Sequence, residues 1–103
     1  MTKLTLLSGA TLALVAALAQ PSMAQPPMEK YNKSCGVCHN TGAAGAPKTG
    51  DVEAWAPRME KGMDTLMGHV VNGFNAMPPK GTCMSCSEAD LKATVEYMIG
   101  QSQ

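Results

Sequence analysis

Five consecutive residues, Cys35-Gly36-Val37-Cys38-His39, carry the chemistry of this chain. Two thiols two residues apart, with a histidine directly after the second, have the C-x-x-C-H spacing of c-type haem attachment. Cys35 and Cys38 can each form a thioether with one of the two vinyl groups along a porphyrin edge. His39 is then held under the iron as its proximal ligand. Gly36 is read as the residue that lets the backbone turn closely against the ring. A disulfide, half a zinc site and a thioredoxin-like redox pair also use C-x-x-C. Zinc needs a second ligand pair, which Cys83 and Cys86 supply in principle. A thioredoxin-like site needs a βαβ setting, and strand signals here are scarce. One covalent haem c is therefore the expected cofactor.

A sixth iron ligand has to come from downstream. Of the nine methionines, Met1 and Met23 fall in the leader discussed below, leaving Met28, Met59, Met63, Met67, Met77, Met84 and Met98. Met59, Met63 and Met67 are spaced four apart and read as one helical stripe packing the haem pocket. Met98 falls on the apolar face of the last helix and reads as core. Met77 sits in Asn75-Ala76-Met77-Pro78-Pro79, where two prolines hold the backbone extended and fix where the thioether points. Met77 is the expected distal ligand. Its rival is His69, the only other histidine, which is read as a surface or packing residue.

His/Met ligation fills the iron's coordination sphere and raises its reduction potential. That pattern implies a single-electron carrier, not an enzyme, working between redox partner proteins whose identity the sequence does not give. No Ser/His/Asp set or carboxylate pair lies near the haem motif. The competing classes are a small haem enzyme or gas sensor, and a thiol–disulfide exchanger using the second cysteine pair. That pair, Cys83-Met84-Ser85-Cys86, is followed by Ser87 instead of histidine. In an oxidising compartment it is expected to close as a disulfide, with a redox-active dithiol as the alternative.

The compartment is read from the first residues. Lys3 precedes an uncharged run from Leu4 to Ala19, and Ser22-Met23-Ala24 ends it with small residues. This predicts a secretory signal peptide over residues 1–24, cleaved after Ala24, and a periplasmic domain over residues 25–103. A membrane anchor is the alternative, but the run falls short of the ~20 apolar residues a span needs. No membrane span is expected after cleavage. The remaining chain holds one more acidic than basic side chain, which argues against nucleic acid as a partner.

The elements that position these residues are predicted to be helical. A chain this short, with four aromatic residues, struggles to bury a self-sufficient core without a cofactor or disulfide. Pro26-Pro27 precedes a helix running into Cys35. Residues 40–50 read as a Gly/Ala/Pro loop, and Asp51 caps a short helix reaching Trp55 and ended by Pro57. A third helix covers Met63 to Val71, closed by Asn72-Gly73. Residues 76–82 are again loop. Ser87, with Asp90 three residues on, starts a last helix whose Leu91, Val95, Met98 and Ile99 share one face. Gly100 is expected to stop it.

Taken together, these residues resemble the class I cytochromes c, and most of all the cytochrome c5 group. The resemblance spans about Tyr31 to Ile99. It rests on the haem motif, Gly45-Ala46-Pro47, Trp55-Ala56-Pro57-Arg58, Asn75 to Gly81 and the second cysteine pair. It implies an all-α fold in which short helices pack around one haem and the first and last cross beside it. It implies that the Pro47 carbonyl accepts a hydrogen bond from Nδ1–H of His39, and that Trp55 and Arg58 lie near the haem propionates. One departure is Thr82, where the family often carries glycine.

Overall fold

The computed structural model describes Gly9 and residues 28–103. The predicted signal peptide lies outside the described residues, Gly9 apart. Every regular element among the described residues is helical, and the sole β-type pairing is an isolated bridge between Phe74 and Met77. α1 (Met28–Lys30) passes through a π-helical stretch (Tyr31–Cys35) into α2 (Gly36–His39). α3 (Val52–Met59), α4 (Met63–Asn72) and α5 (Glu88–Gln101) follow, with 3₁₀ turns at Ala43–Gly45 and Pro79–Thr82.

Local chemistry accounts for the helix starts. Asp51 accepts a hydrogen bond from the Ala54 amide at the start of α3. At the start of α5, Ser87 and Asp90 form a reciprocal capping box, which satisfies two otherwise orphaned amides. Gly73, at φ 85°, ends α4 in a conformation that disfavours other residues.

Three expectations about the elements are corrected. α3 does not end at Pro57 but runs on to Met59. Proline removes one donor there, and packing of Trp55, 5% exposed, holds the helix together. The Met59–Met63–Met67 stripe does not exist as one helical face. Met59 ends α3, Met63 begins α4, and Gly62 at φ 87° breaks the helix between them. Gly100 does not stop α5 either. The helix continues to Gln101 and closes where the Ser102 hydroxyl donates to the Met98 carbonyl at 2.7 Å.

The buried side chains form two separate groups. Tyr31, Trp55 and Met98 form one, with Cys35, Met59, Tyr97 and Ile99 packed against it. Cys83, Cys86 and Leu91 form the other, backed by Met67, Val70 and Val71. The first and last helical segments meet through Tyr31 and Tyr97, edge to face at 5.4 Å. They also meet through Lys30 Nζ and Asp90 Oδ2 at 2.6 Å. Between these elements lies a cavity to which both groups contribute walls, Trp55 and Met98 from one and Leu91 and Val70 from the other.

Candidate haem site

The cavity measures about 590 Å³, within the range of roughly 300–1,000 Å³ usual for cofactor pockets. Cys35, Cys38, His39, Pro47, Trp55, Arg58 and Met77 all line it. Residues up to 42 positions apart in the sequence thus converge on one space. Both cysteines of the C-x-x-C-H run are free thiols. Burial pushes the Cys35 thiol above its ordinary range, which keeps it protonated.

His39 is buried and doubly tied. Its Nδ1 lies 2.7 Å from the Pro47 carbonyl oxygen, and its own carbonyl accepts from the Thr49 amide at 2.8 Å. A neutral imidazole with Nδ1–H donating to that carbonyl carries its free lone pair on Nε2. Gly36 has an ordinary helical φ of −63°, so the turn expected of it is not its role. A β-carbon there would stand 2.8 Å from Asn40 Nδ2 and 3.1 Å from the Tyr31 carbonyl. Glycine there leaves room for Tyr31 and Asn40 to pack close against the backbone.

Met77 is bracketed by its backbone. Its amide donates to the Phe74 carbonyl at 2.9 Å, and the Phe74 amide donates back at 3.0 Å. The Phe74 ring in turn stacks on His69, centroids 3.9 Å apart. His69 also lines the cavity, but its ring face is taken up by that stack. A β-carbon at Gly81 would lie 3.7 Å from Cys35 Sγ and 4.0 Å from the Met77 methyl. The Met77 loop therefore returns to the side of the cavity where the first thiol stands. Of the other methionines among the described residues only Met98 lines the cavity; Met59, Met63 and Met67 do not, which corrects the expected pocket stripe.

Trp55 donates its indole N–H to the Lys48 carbonyl at 2.8 Å, so toward the cavity it offers an apolar face. Arg58 donates from one nitrogen to the Ala54 carbonyl. Arg58 and Lys61 are the charged residues of the lining, and both are basic. Lys61, Leu66 and Thr94 also line the cavity and were not singled out in the sequence. Only Lys61, three residues after Arg58 and so one turn on, left a readable trace. Cys83 and Cys86 are bonded to each other in the structure, and neither lines the cavity.

The donor set fits a haem. The space is mostly apolar, its free thiols sit beside a histidine whose Nδ1 is already bonded, and its cationic rim suits two propionates. No buried side-chain nitrogen or oxygen among the described residues lacks a partner, so the interior asks for no polar ligand of its own.

Comparison with known proteins agrees. A family model described as cytochrome c oxidase, cbb3-type, subunit III matches residues 22–98. The chain is 49% identical over 70 residues to the cytochrome c5 of Azotobacter vinelandii, covering 66% of this chain and 84% of that one. A mono-haem ferrocytochrome c from Shewanella putrefaciens superposes with a TM-score of 0.66 at 46% identity, over 77% of this chain and 96% of its own. A structure described as the electron transfer complex of nitrite reductase with cytochrome c matches with a TM-score of 0.70 at 43% identity. It covers 74% of this chain and 93% of the matched one. With Cys35, Cys38, His39 and Met77 gathered around a cavity of cofactor size, this chain belongs to the class I cytochromes c, in the cytochrome c5 group, and carries one covalently attached haem c.

Proposed function

We propose that this protein is a periplasmic, non-enzymatic carrier of single electrons whose haem iron is ligated by His39 and Met77. The observation that carries the reading is that one cavity gathers Cys35, Cys38, His39 and Met77, with Nδ1 of His39 already engaged by Pro47. The haem supplies the one-electron couple; the chain sets its potential and access. Cys35 and Cys38 would hold the group covalently, as thioethers to its two vinyl substituents. Pro47 orients the His39 ring and raises its donor strength. The Phe74–Met77 bridge keeps the thioether in place, so that water and small ligands find no open position. Trp55 walls the pocket, and Arg58 with Lys61 neutralises the carboxylates of the group.

Residues 1–24 act as a cleaved signal peptide in this reading, and Cys83–Cys86 is a structural disulfide. The partners are redox proteins; the related cytochrome c in complex with nitrite reductase illustrates the class. No described helix is long and apolar enough to cross a membrane.

Mass spectrometry of the purified protein tests the whole reading. Acid-denatured protein is expected to retain haem, to begin at Gln25, and to yield a haem-bearing peptide containing residues 35–39. Haem found on the peptide containing Cys83 and Cys86 would overturn the attachment assignment. Rapid carbon monoxide binding to the reduced protein would instead indicate an open iron site, as in a sensor or haem enzyme.

A further inference from the structure

The loop that carries Pro47 is tied to the rest of the molecule at every residue. The Pro47 carbonyl accepts from His39 Nδ1 at 2.7 Å. The Lys48 carbonyl accepts from Trp55 Nε1 at 2.8 Å. The Thr49 amide donates to the His39 carbonyl, and the Thr49 hydroxyl lies 2.8 Å from the Tyr31 hydroxyl. Asn40 Oδ1, 2.7 Å from the same Tyr31 hydroxyl, can only accept. Tyr31 has one proton, so it donates to Asn40 and accepts from Thr49. Finally, the Gly50 amide donates to Ser102 Oγ at 2.8 Å, 52 residues away in the chain.

Ser102 is the least expected of these partners. Its side chain is fully buried, at 0% exposure. Its single proton goes to the Met98 carbonyl, which leaves its lone pairs facing the Gly50 amide. A residue beyond the end of α5 thereby closes the one tether of the loop that neither the haem-motif helix nor α3 provides. We infer that Ser102, with Tyr31, is a positioning residue for His39: it holds the 47–50 loop so that the Pro47 carbonyl stays aligned on Nδ1–H. This rests on His39 being the iron ligand. Serine is suited to the place because the site demands an acceptor and a donor within one small buried side chain. Alanine leaves the Gly50 amide without a partner. The loop then opens more often, the Nδ1–H bond weakens, and the imidazole becomes a poorer donor to iron. A poorer donor favours the reduced state, so the reduction potential moves upward.

The test uses the haem-loaded protein and Ser102→Ala, with three readouts: NMR exchange of His39 Nδ1–H in the reduced state, the reduction potential, and Tm. Exchange is expected to quicken about fivefold to tenfold, the change in population that one lost hydrogen bond produces, and the potential to rise. Lys30→Met, which lowers stability from α1 without touching the loop, is expected to lower Tm while leaving exchange and potential unmoved. If Ser102→Ala lowers Tm alone, Ser102 merely closes α5 and the inference falls. If that variant fails to retain haem, Tyr31→Phe decides, because it removes the Thr49 tether while keeping the ring. Faster exchange and a raised potential support the inference, and wild-type values overturn it. Failure of the ligand assignment itself is separable, because His39 ring protons in the wild type would then lack the ring-current shift of an axial ligand.

Discussion

Lys30 Nζ stands 2.6 Å from Asp90 Oδ2, joining residues 60 positions apart. Asp90 also caps α5 through Ser87, so one carboxylate both starts the last helix and fastens it to the first. The Lys30 ammonium, and after it the Ser87 amide, hold the Asp90 carboxyl below its ordinary range. A carboxyl depressed on folding contributes stability above its unfolded pKa, near 3.9, and loses it as pH falls through the folded value. Both side chains are about one-third exposed, so the contribution is modest. Lys30→Met is expected to lower the urea midpoint at neutral pH and to flatten its decline below about pH 4. Equal declines in both proteins would deny the pair that role.

Met77→Ala is expected to leave haem attached, since in the proposed assignment Cys35 and Cys38 hold it covalently. The sulfur-to-iron charge-transfer band is expected to vanish, the potential to fall, and carbon monoxide or cyanide to bind quickly. His69→Ala is expected to keep the band, because that ring stacks on Phe74. The opposite pattern would identify a bis-histidine cytochrome.

Thr82 adopts φ 67°, and it follows Lys80 and Gly81, which are also left-handed. A β-branched residue there is strained by roughly 1–3 kcal/mol. Thr82→Gly is expected to stabilise the protein by about 1 kcal/mol, after part of that relief is offset by glycine's greater unfolded entropy. Thermal unfolding of the haem-loaded variant checks it, and a lowered Tm would refute it.

Replacing Cys83 and Cys86 together with Ser is expected to lower Tm. The pair is buried against Leu91, Met67, Val70 and Val71, and closing so short a ring contributes about 2 kcal/mol by chain entropy. The haem spectrum and electron transfer are expected to persist. A folded double variant that no longer transfers electrons would assign the pair a redox role.

Val37 and Phe74 line the cavity and are 64% and 47% exposed, which places apolar surface at its mouth. With nearly balanced charge, long-range steering is weak. The rate of reaction with a redox partner is expected to vary only mildly between low and high salt. A steep dependence would reveal a charged docking patch.

The haem motif, the Met77 loop and the Ser87–Asp90 cap were legible in the sequence because each is local. Covalent spacing, proline restriction and capping act within five or six residues, and the chemistry follows from residue type alone. The class of protein was therefore determined before any coordinate. The errors arose where local rules met tertiary packing. Pro57 signals a helix end, yet burial of Trp55 carries α3 past it. Gly100 signals a stop, yet the buried Ser102 hydroxyl closes α5 later. The spacing of Met59, Met63 and Met67 suggests one stripe, yet Gly62 divides it. The Tyr31–Asn40–Thr49 and Gly50–Ser102 contacts left no local trace. A hydrogen bond between residues 52 apart has no periodicity and no motif. It exists only because α5 and the Pro47 loop are folded against each other, so only the tertiary structure decided how firmly His39 is held.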